Sequence, residues 1–410
     1  MGRGNHEQFQ HEMWYSSSSH LDFESMIAKF SILLIGPTPP PFHGVSVAIQ
    51  TLLQSCIVEQ FRVCHLDLAD RRGIQHVNKP DLQDVVLFLR QWLRLVSMLF
   101  RDCPTLTYLV LSQSTIGFLR DSFLIWPASL RGSHIVLHLH GANIRDWFLG
   151  RSWFMRAYVR AVLSRVTRII VLGDSLKSQF DGLVDTRRIA VVPNGIEWKD
   201  SGSSKRMVRS SSPYRILHLS TLSHLKGALV LIEAIPSVVT HRKDLEFVFA
   251  GPWSHSEDKQ WADQFILQQG IGQYIKFTGQ VEGDRKRALF ESSDIFAFPG
   301  IQQEGQPLVV IEAMAAGLPV IFTDRGCLRN TVINGETGVE VPINDPHRLA
   351  DRILWLLDHP DNMEAMGRRA RQRYESLYTK KLHIENMIEV FASSCTGNAA
   401  RTECCARKRT

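Results

Sequence analysis

Two trains of short apolar runs, each run separated from the next by a longer helix-like stretch, constrain this 410-residue chain more than any other feature. The first train holds SILLIG at 31 to 36, FRVCHLDL at 61 to 68, LTYLVL at 106 to 111, HIVLHLH at 134 to 140, RIIVL at 168 to 172 and RIAVVP at 188 to 193. The second holds RILHLS at 215 to 220, LEFVFAG at 245 to 251, YIKFTG at 274 to 279, DIFAFP at 294 to 299 and PVIFT at 319 to 323. Continuous apolar runs of this length, alternating with helical stretches, predict parallel strands buried on both faces and joined by helical crossovers. Between the trains, DSGSSKRMVRSSSP at 200 to 213 has no apolar periodicity and reads as an exposed linker. The expected fold class is α/β with two Rossmann-like domains, and a chain of this length has room for a cleft between them. The boundaries are a polar extension at 1–27, a first domain at 28–199, the linker at 200–213, a second domain with C-terminal helices at 214–391, and a basic tail at 392–410.

Composition bounds the class without fixing the function. A hydrophobic fraction of 44% with 21% charged residues suits a soluble globular protein. The formal charge of +6 favours anionic partners: nucleic acid, an acidic lipid surface or a phosphorylated substrate. Cys56, Cys64, Cys103, Cys327, Cys395, Cys404 and Cys405 form no CxxC pair and no disulfide-dense block, so a reducing cytosol is expected. The N-terminal segment lacks the apolar stretch of a signal peptide, and Arg90 and Arg94 interrupt DVVLFLRQWLRLVSMLF at 84 to 100, so no spanning helix is expected.

The sharpest local signal is EGQPLVVIEAMAAGLPVI, in which seven residues separate Glu304 from Glu312. Glu304 falls in a loop and Glu312 within the apolar helix that follows, so the two carboxylates reach different depths of one crevice. Each can accept hydrogen bonds from two vicinal hydroxyls, one on a sugar and the other on a ribose. Backbone amides near Gln306, Pro307 and Leu308 open the helix, and unpaired amides at a helix start favour a diphosphate. Pro307 brings no amide but suits a first turn. For two arbitrary glutamates, a solvated position would be the plainer reading.

This segment resembles the donor-site signature of the family-four retaining glycosyltransferases, whose GT-B fold pairs two Rossmann-like domains across a deep cleft. The resemblance covers nearly the whole chain apart from its two ends and is most specific after the linker. It implies that Lys226, in LSTLSHLKG, stabilises a departing diphosphate, and that Thr221 stands where many relatives carry an arginine, leaving one phosphate cation to be supplied elsewhere. It implies that the loop GPTPPPFHGVSVA faces phosphate, with Gly44 allowing close backbone approach. In HLHGAN it implies that His140 meets a donor-sugar hydroxyl, whereas His138 is a buried structural histidine. VVPNGIE at 191 to 197 resembles the segment that closes the first domain, and in GCLRNTVINGETGVEVP a common glycine and glutamate are replaced by Cys327 and Asn330.

The function implied is transfer of a hexosyl group, with retention, from a nucleotide-sugar donor to a saccharide or lipid-linked saccharide acceptor in polysaccharide biosynthesis. No cofactor or metal is expected, since no Asp-x-Asp pair or set of three His/Cys ligands is visible. A nucleotide-sugar epimerase on the same fold and a catalytically silent sugar-binding subunit are the alternatives. The expected location is cytoplasmic, peripheral on the inner face of a membrane. The motive is the stretch in which Trp147, Phe148, Trp153, Phe154 and Tyr158 are interleaved with Arg145, Arg151, Arg156, Arg160, Arg165 and Arg168. A core-facing amphipathic helix with a solvated arginine face is the competing reading, and with no recognised nucleic-acid motif a nucleic-acid partner is not expected.

Overall fold

The computed structural model describes residues 30–40, 44–69, 71, 82–199 and 213–396. The polar extension 1–27, all of the linker but Pro213, and the end of the basic tail therefore lie outside the described residues.

Six parallel strands form the first sheet: β1 (Ser31–Gly36), β2 (Arg62–Asp67), β3 (Leu106–Val110), β4 (His134–Leu139), β5 (Arg168–Val171) and β6 (Ile189–Val191), in the order β2-β1-β3-β4-β5-β6. Every residue of β1 is buried, as its unbroken apolar run requires of a strand covered on both faces. Six more parallel strands form the second sheet: β7 (Tyr214–Leu219), β8 (Leu245–Ala250), β9 (Ile275–Gly279), β10 (Ile295–Phe298), β11 (Val320–Phe322) and β12 (Gly338–Glu340). Their order is β9-β8-β7-β10-β11-β12, the doubly wound arrangement whose direction reverses between β7 and β10. The eleven runs read from the sequence are all strands. The twelfth, β12, falls in GCLRNTVINGETGVEVP, which the sequence reads as a loop.

Helices cover both faces of each sheet. In the second domain, Leu349, Ile353 and Leu356 of the helix Pro346–Asp358 share a core with Leu231, Ile235 and Val238 of the helix Ala228–His241. The C-terminal helix Lys380–Thr396 corrects the expected division of the chain. Its stripe of Ile384, Met387, Phe391 and Cys395 lies not on the second sheet but on the first, packed with Ile32, Leu34, Tyr108 and Val136. There it completes the cover that the helix Gly44–Leu53 begins. Phe391 meets Tyr108 and Phe61 edge-on, at ring separations of 5.7 and 6.3 Å. The tail boundary at 392 moves accordingly, because Ala392, Ser394 and Cys395 are buried helical residues.

That return brings two stretches of chain side by side at the domain junction. Ile196 forms a parallel bridge with Thr379, accepts from the Lys380 amide at 2.8 Å, and donates its own amide to the Tyr378 carbonyl at 3.0 Å. The sequence had given VVPNGIE a closing role for the first domain, and the structure shows the partner that it closes against.

The Arg/aromatic stretch divides between its two readings. Val159, Val162 and Leu163 of the helix Trp153–Ser164 enter the core and Phe148 is buried, whereas Trp153 and Phe154 stack on each other in the open at 3.5 Å. Several arginines are engaged internally: Arg160 lies over the Phe148 ring, Arg145 pairs with Asp181 at 3.3 Å, and Arg151 donates to Thr115. The helix Leu82–Arg101 adds exposed Val85, Val86, Leu89, Leu93 and Phe100 beside exposed Arg90 and Arg94. Among the described residues no helix is long and apolar enough to cross a membrane.

Candidate functional site

Loops leaving the C-terminal ends of β7 and β10 meet at the point where the second sheet reverses its winding, the place where open α/β sheets form a ligand crevice. His218, at the end of β7, ties the two strands together there. Its Nδ1 lies 2.9 Å from the Ala297 carbonyl and its Nε2 2.8 Å from Ser220 Oγ. Burial holds this imidazole down at about 4, with the Ala297 contact opposing and the Lys226 charge assisting. A neutral ring with the proton on Nδ1 satisfies both partners. Sequence reading overlooked His218, which sits inside an apolar run.

The loop after β7 carries Lys226 into the helix Ala228–His241 through Gly227. Gly227 has φ +87°, and a Cβ there would stand 2.3 Å from the Pro299 carbonyl oxygen in the neighbouring loop. Only glycine lets the β7 and β10 loops approach this closely. The amides of Ile301 and Gln302 both donate to the Leu225 carbonyl, at 2.9 and 3.2 Å. So joined, the two loops place Lys226 Nζ on Glu304 Oε1, which also accepts from Gln302 Nε2 at 2.7 Å. Both members of the pair are largely buried, with side-chain exposures of 28% and 13%. Thr221, on the same β7 loop, is exposed.

Glu312 sits one turn into the helix Leu308–Ala315, which begins directly after Pro307. Lys286 of the helix Gly283–Glu291 lies 2.7 Å from its Oε1 and 2.6 Å from its Oε2. Burial pushes the Glu312 carboxyl above its ordinary range, and the lysine opposes that shift. The sequence reading gave Lys286 no role, and nothing in GDRKRALFE distinguishes it from its solvated neighbours. Leu308 and Pro307 stand at the helix start as expected. The side chain of Gln306, by contrast, belongs to the domain seam: it accepts from the Asn194 amide at 2.7 Å and donates to Thr331 Oγ1 at 3.0 Å.

Across the seam, the first domain presents His140 at the end of β4. A Cβ on Gly305 would lie 1.9 Å from the His140 carbonyl oxygen, so the residue after Glu304 is pressed against the residue that the sequence proposed as its companion. The His140 ring lies tilted against that of His138, with centroids 4.0 Å apart, and His138 Nδ1 is 2.8 Å from Tyr108 Oη. Burial, then the nearby His383, lowers His140 to about 3. Burial, then His140 and His383, hold His138 well below the usual range. Both rings are thus neutral at ordinary pH, and the Nε2 atom of each is buried without a hydrogen-bond partner. Among the described residues no three His, Cys, Asp or Glu side chains are grouped to hold a metal ion.

The loop after β11 shows what Cys327 and Asn330 do in place of the glycine and glutamate that the resemblance supplies. Cys327 is fully buried, its thiol raised to about 11 by burial, with Sγ 3.6 Å from the Leu172 carbonyl of the first domain. Asn330 Oδ1 accepts from the Ser175 amide at 2.9 Å, and Ser175 Oγ donates to the Gly326 carbonyl at 2.9 Å. Both replacements fasten the two domains together. Beside them Arg325 is half-buried, has no ion pair among the described residues, and keeps Nε buried without a partner.

Gly44 opens the helix Gly44–Leu53, and a Cβ there would meet nothing within 4 Å. Pro41, Phe42 and His43 of the same loop lie outside the described residues. Its beginning is pinned by Asp67, which accepts from the amide and the hydroxyl of Thr38, each at 3.1 Å.

Residues 203–373 match the model of the family described as glycosyl transferases group 1. A phosphatidyl-myo-inositol mannosyltransferase of Mycobacterium leprae is 33% identical over 153 residues, 37% of this chain and 39% of the relative. A D-inositol 3-phosphate glycosyltransferase of Paenarthrobacter aurescens is 31% identical over 213 residues, 50% of this chain and 51% of the relative. The chain thus spans about half the length, or less, of the curated relatives it matches. Among solved structures, a glycosyltransferase from Rickettsia africae superposes with a TM-score of 0.73 at 16% identity, covering 90% of this chain and 99% of that one. Anabaena Alr3699/HepE in complex with UDP-glucose superposes at 0.68, also at 16% identity, covering 88% and 99%. These likenesses establish the two-domain GT-B fold.

Proposed function

On the match of residues 203–373 to the glycosyl transferases group 1 model, we propose that the chain transfers a hexosyl group from a nucleotide sugar to a saccharide or lipid-linked saccharide acceptor, with retention of anomeric configuration. The observation that carries this reading is the Lys226–Glu304 pair on loops at the sheet's switch point, with Gly305 abutting the His140 carbonyl of the first domain and Glu312 on the helix that follows. A diphosphate bound between the β7 loop and the start of the helix Leu308–Ala315 gains the Lys226 charge and the unpaired amides of a helix N-terminus. Glu304 then orients the sugar, and Glu312 accepts from the ribose hydroxyls. As the bond from the anomeric carbon to the diphosphate oxygen breaks, that oxygen takes the proton of the acceptor hydroxyl attacking from the same face. The chain itself supplies no nucleophile, and the neutral His140 ring positions the sugar near the reacting carbon.

Product analysis with purified protein and a panel of nucleotide sugars tests the proposal. Transfer to an acceptor supports it, an isomerised nucleotide sugar indicates an epimerase, and binding without turnover indicates a silent subunit. Lys226 supplies charge where other transferases use a metal, so activity should persist in excess chelator. Complete loss that added metal restores would contradict this.

The acceptor is proposed to lie at a membrane surface. The helix Leu82–Arg101, with its exposed apolar and basic side chains, packs on the helix Thr115–Leu130 by the Phe88–Phe123 ring contact and the bond from Trp92 Nε1 to the Phe123 carbonyl, and Trp153 and Phe154 of the same domain are exposed as well. Each cation near anionic lipid adds about 1 kcal/mol of attraction, which salt weakens. Co-sedimentation with anionic vesicles at low salt should be lost at high salt and reduced by replacing Arg90, Arg94 and Arg156 with glutamine. Wild-type protein that ignores such vesicles while glycosylating soluble acceptors equally well would remove the membrane from the account.

A further inference from the structure

Three cations follow one another on the helix Gly283–Glu291, yet they part company. Arg287 turns to Asp284 and Glu291, Arg285 is exposed, and Lys286 reaches inward to both oxygens of Glu312. The side chains of Lys286 and Glu312 keep 25% and 19% of their exposure. β10 and β11, which flank the helix of Glu312, carry no ionisable residue. On the packed helix Pro360–Leu377, Arg371 is taken by the Ala315 carbonyl and Glu375, and Arg373 by the carbonyls of Asn330 and Thr331. Among the described residues, Lys286 is therefore the cation that acts on Glu312.

We propose that Lys286 is a positioning residue of the donor site, holding Glu312 as an oriented carboxylate so that it can accept from both hydroxyls of a nucleotide ribose. The inference rests on the reading that Glu312 meets the ribose. A carboxylate offers about four lone-pair sites; the ammonium hydrogen-bonds Oε1 at 2.7 Å and stands 2.6 Å from Oε2, which has no hydrogen-bond partner, so a site on each oxygen stays open for an incoming hydroxyl. A protonated carboxyl has fewer acceptor sites and turns one oxygen into a donor. Burial drives Glu312 toward that state, and the lysine opposes it. Sequence could not disclose the pairing, because it joins residues 26 apart on two different helices.

The test is calorimetric titration of UDP, GDP and ADP into the full chain from pH 6 to pH 9, with steady-state kinetics on the donor that proves active. Lys286→Met should weaken nucleotide binding about tenfold at pH 6, the scale of a lost charged hydrogen bond, and the loss should shrink as pH rises and Glu312 ionises. Its kcat at saturating donor should stay near wild type while KM rises. Lys286→Arg should restore affinity, and Lys286→Met combined with Glu312→Gln should bind like Glu312→Gln alone, with no pH dependence. Wild-type affinity in Lys286→Met at every pH, or an equal loss at every pH that arginine does not rescue, would overturn the proposal. Should the methionine variant not fold, Lys286→Gln carries the same comparison. Glu312→Gln that binds nucleotide as tightly as wild type would instead defeat the ribose reading, and a weakened Glu312→Gln beside an unaffected Lys286→Met would remove the role of Lys286 alone.

Discussion

Glu304 and Glu312 each hold a lysine, but the two ion pairs are built in different places. The Glu304–Lys226 pair sits on loops at the sheet's switch point, and the next residue, Gly305, abuts His140 of the other domain. The Glu312–Lys286 pair lies wholly within the second domain, between two helices. The difference separates two tasks. Under the proposed function, chemistry at Glu304 would depend on how the domains meet, whereas nucleotide binding at Glu312 would be a property of one domain.

The sharpest way to break this division is to neutralise each carboxylate in turn. Glu304→Gln should lower kcat about a hundredfold, the scale of losing one group that acts mainly in the transition state, with nucleotide affinity nearly unchanged. Glu312→Gln should do the reverse, raising the nucleotide Kd about tenfold with a smaller effect on kcat. Steady-state kinetics and titration read both; equal effects on both parameters in both variants would erase the distinction.

Gly305→Ala tests the seam without touching either charge. The added methyl meets the His140 carbonyl, and forcing a methyl into a packed contact costs typically about 1–3 kcal/mol. Turnover and the thermal midpoint should both fall while nucleotide binding by the second domain persists. An unaffected kcat would mean that the domains need not meet there for reaction.

Acidification probes the histidines of the seam. His138, His140 and His383 all have folded-state values lowered by burial, His140 to about 3. The unfolded chain binds protons from about pH 6.5 downward and the folded chain does not, so stability is complete above that pH and declines as pH falls toward 3. Each such ring costs up to about 1.4 kcal/mol per pH unit over that window. Glu312, raised by burial, acts in the opposite direction, which makes the sign informative. Thermal denaturation at pH 7 and pH 5 should show a lower midpoint at pH 5; a higher one would show that carboxylates outweigh the histidines.

The smallest expected effect is a gain. Thr221→Arg restores a charge that the resemblance places on the β7 loop, and kcat should rise by less than about tenfold. An unchanged kcat would mean that the charge is supplied elsewhere, with Arg325 the next residue to replace.

The strands were legible because a parallel sheet covered on both faces turns burial into uninterrupted apolar runs, and SILLIG or HIVLHL admits little else. The motif EGQPLVVIEA and the lysine of LSTLSHLKG stood out because each resembles a family signature and follows a predicted strand; that both strand ends lie at the sheet's switch point only the fold shows. What sequence concealed depends on contacts between distant segments. Lys286 is one of three adjacent cations, and only the fold selects it. The side chains of Gln306, Cys327 and Asn330 serve the domain seam, which has no sequence period. The C-terminal helix shows an apolar stripe without showing which sheet it covers.

The most direct test of this division of labour is a crystal structure of Glu304→Gln protein with an intact nucleotide sugar bound. The account predicts the ribose on Glu312, the diphosphate between Lys226 and the start of the helix Leu308–Ala315, and the sugar between residue 304 and His140. A ribose bound away from Glu312, or a sugar directed away from the seam with His140, would contradict it.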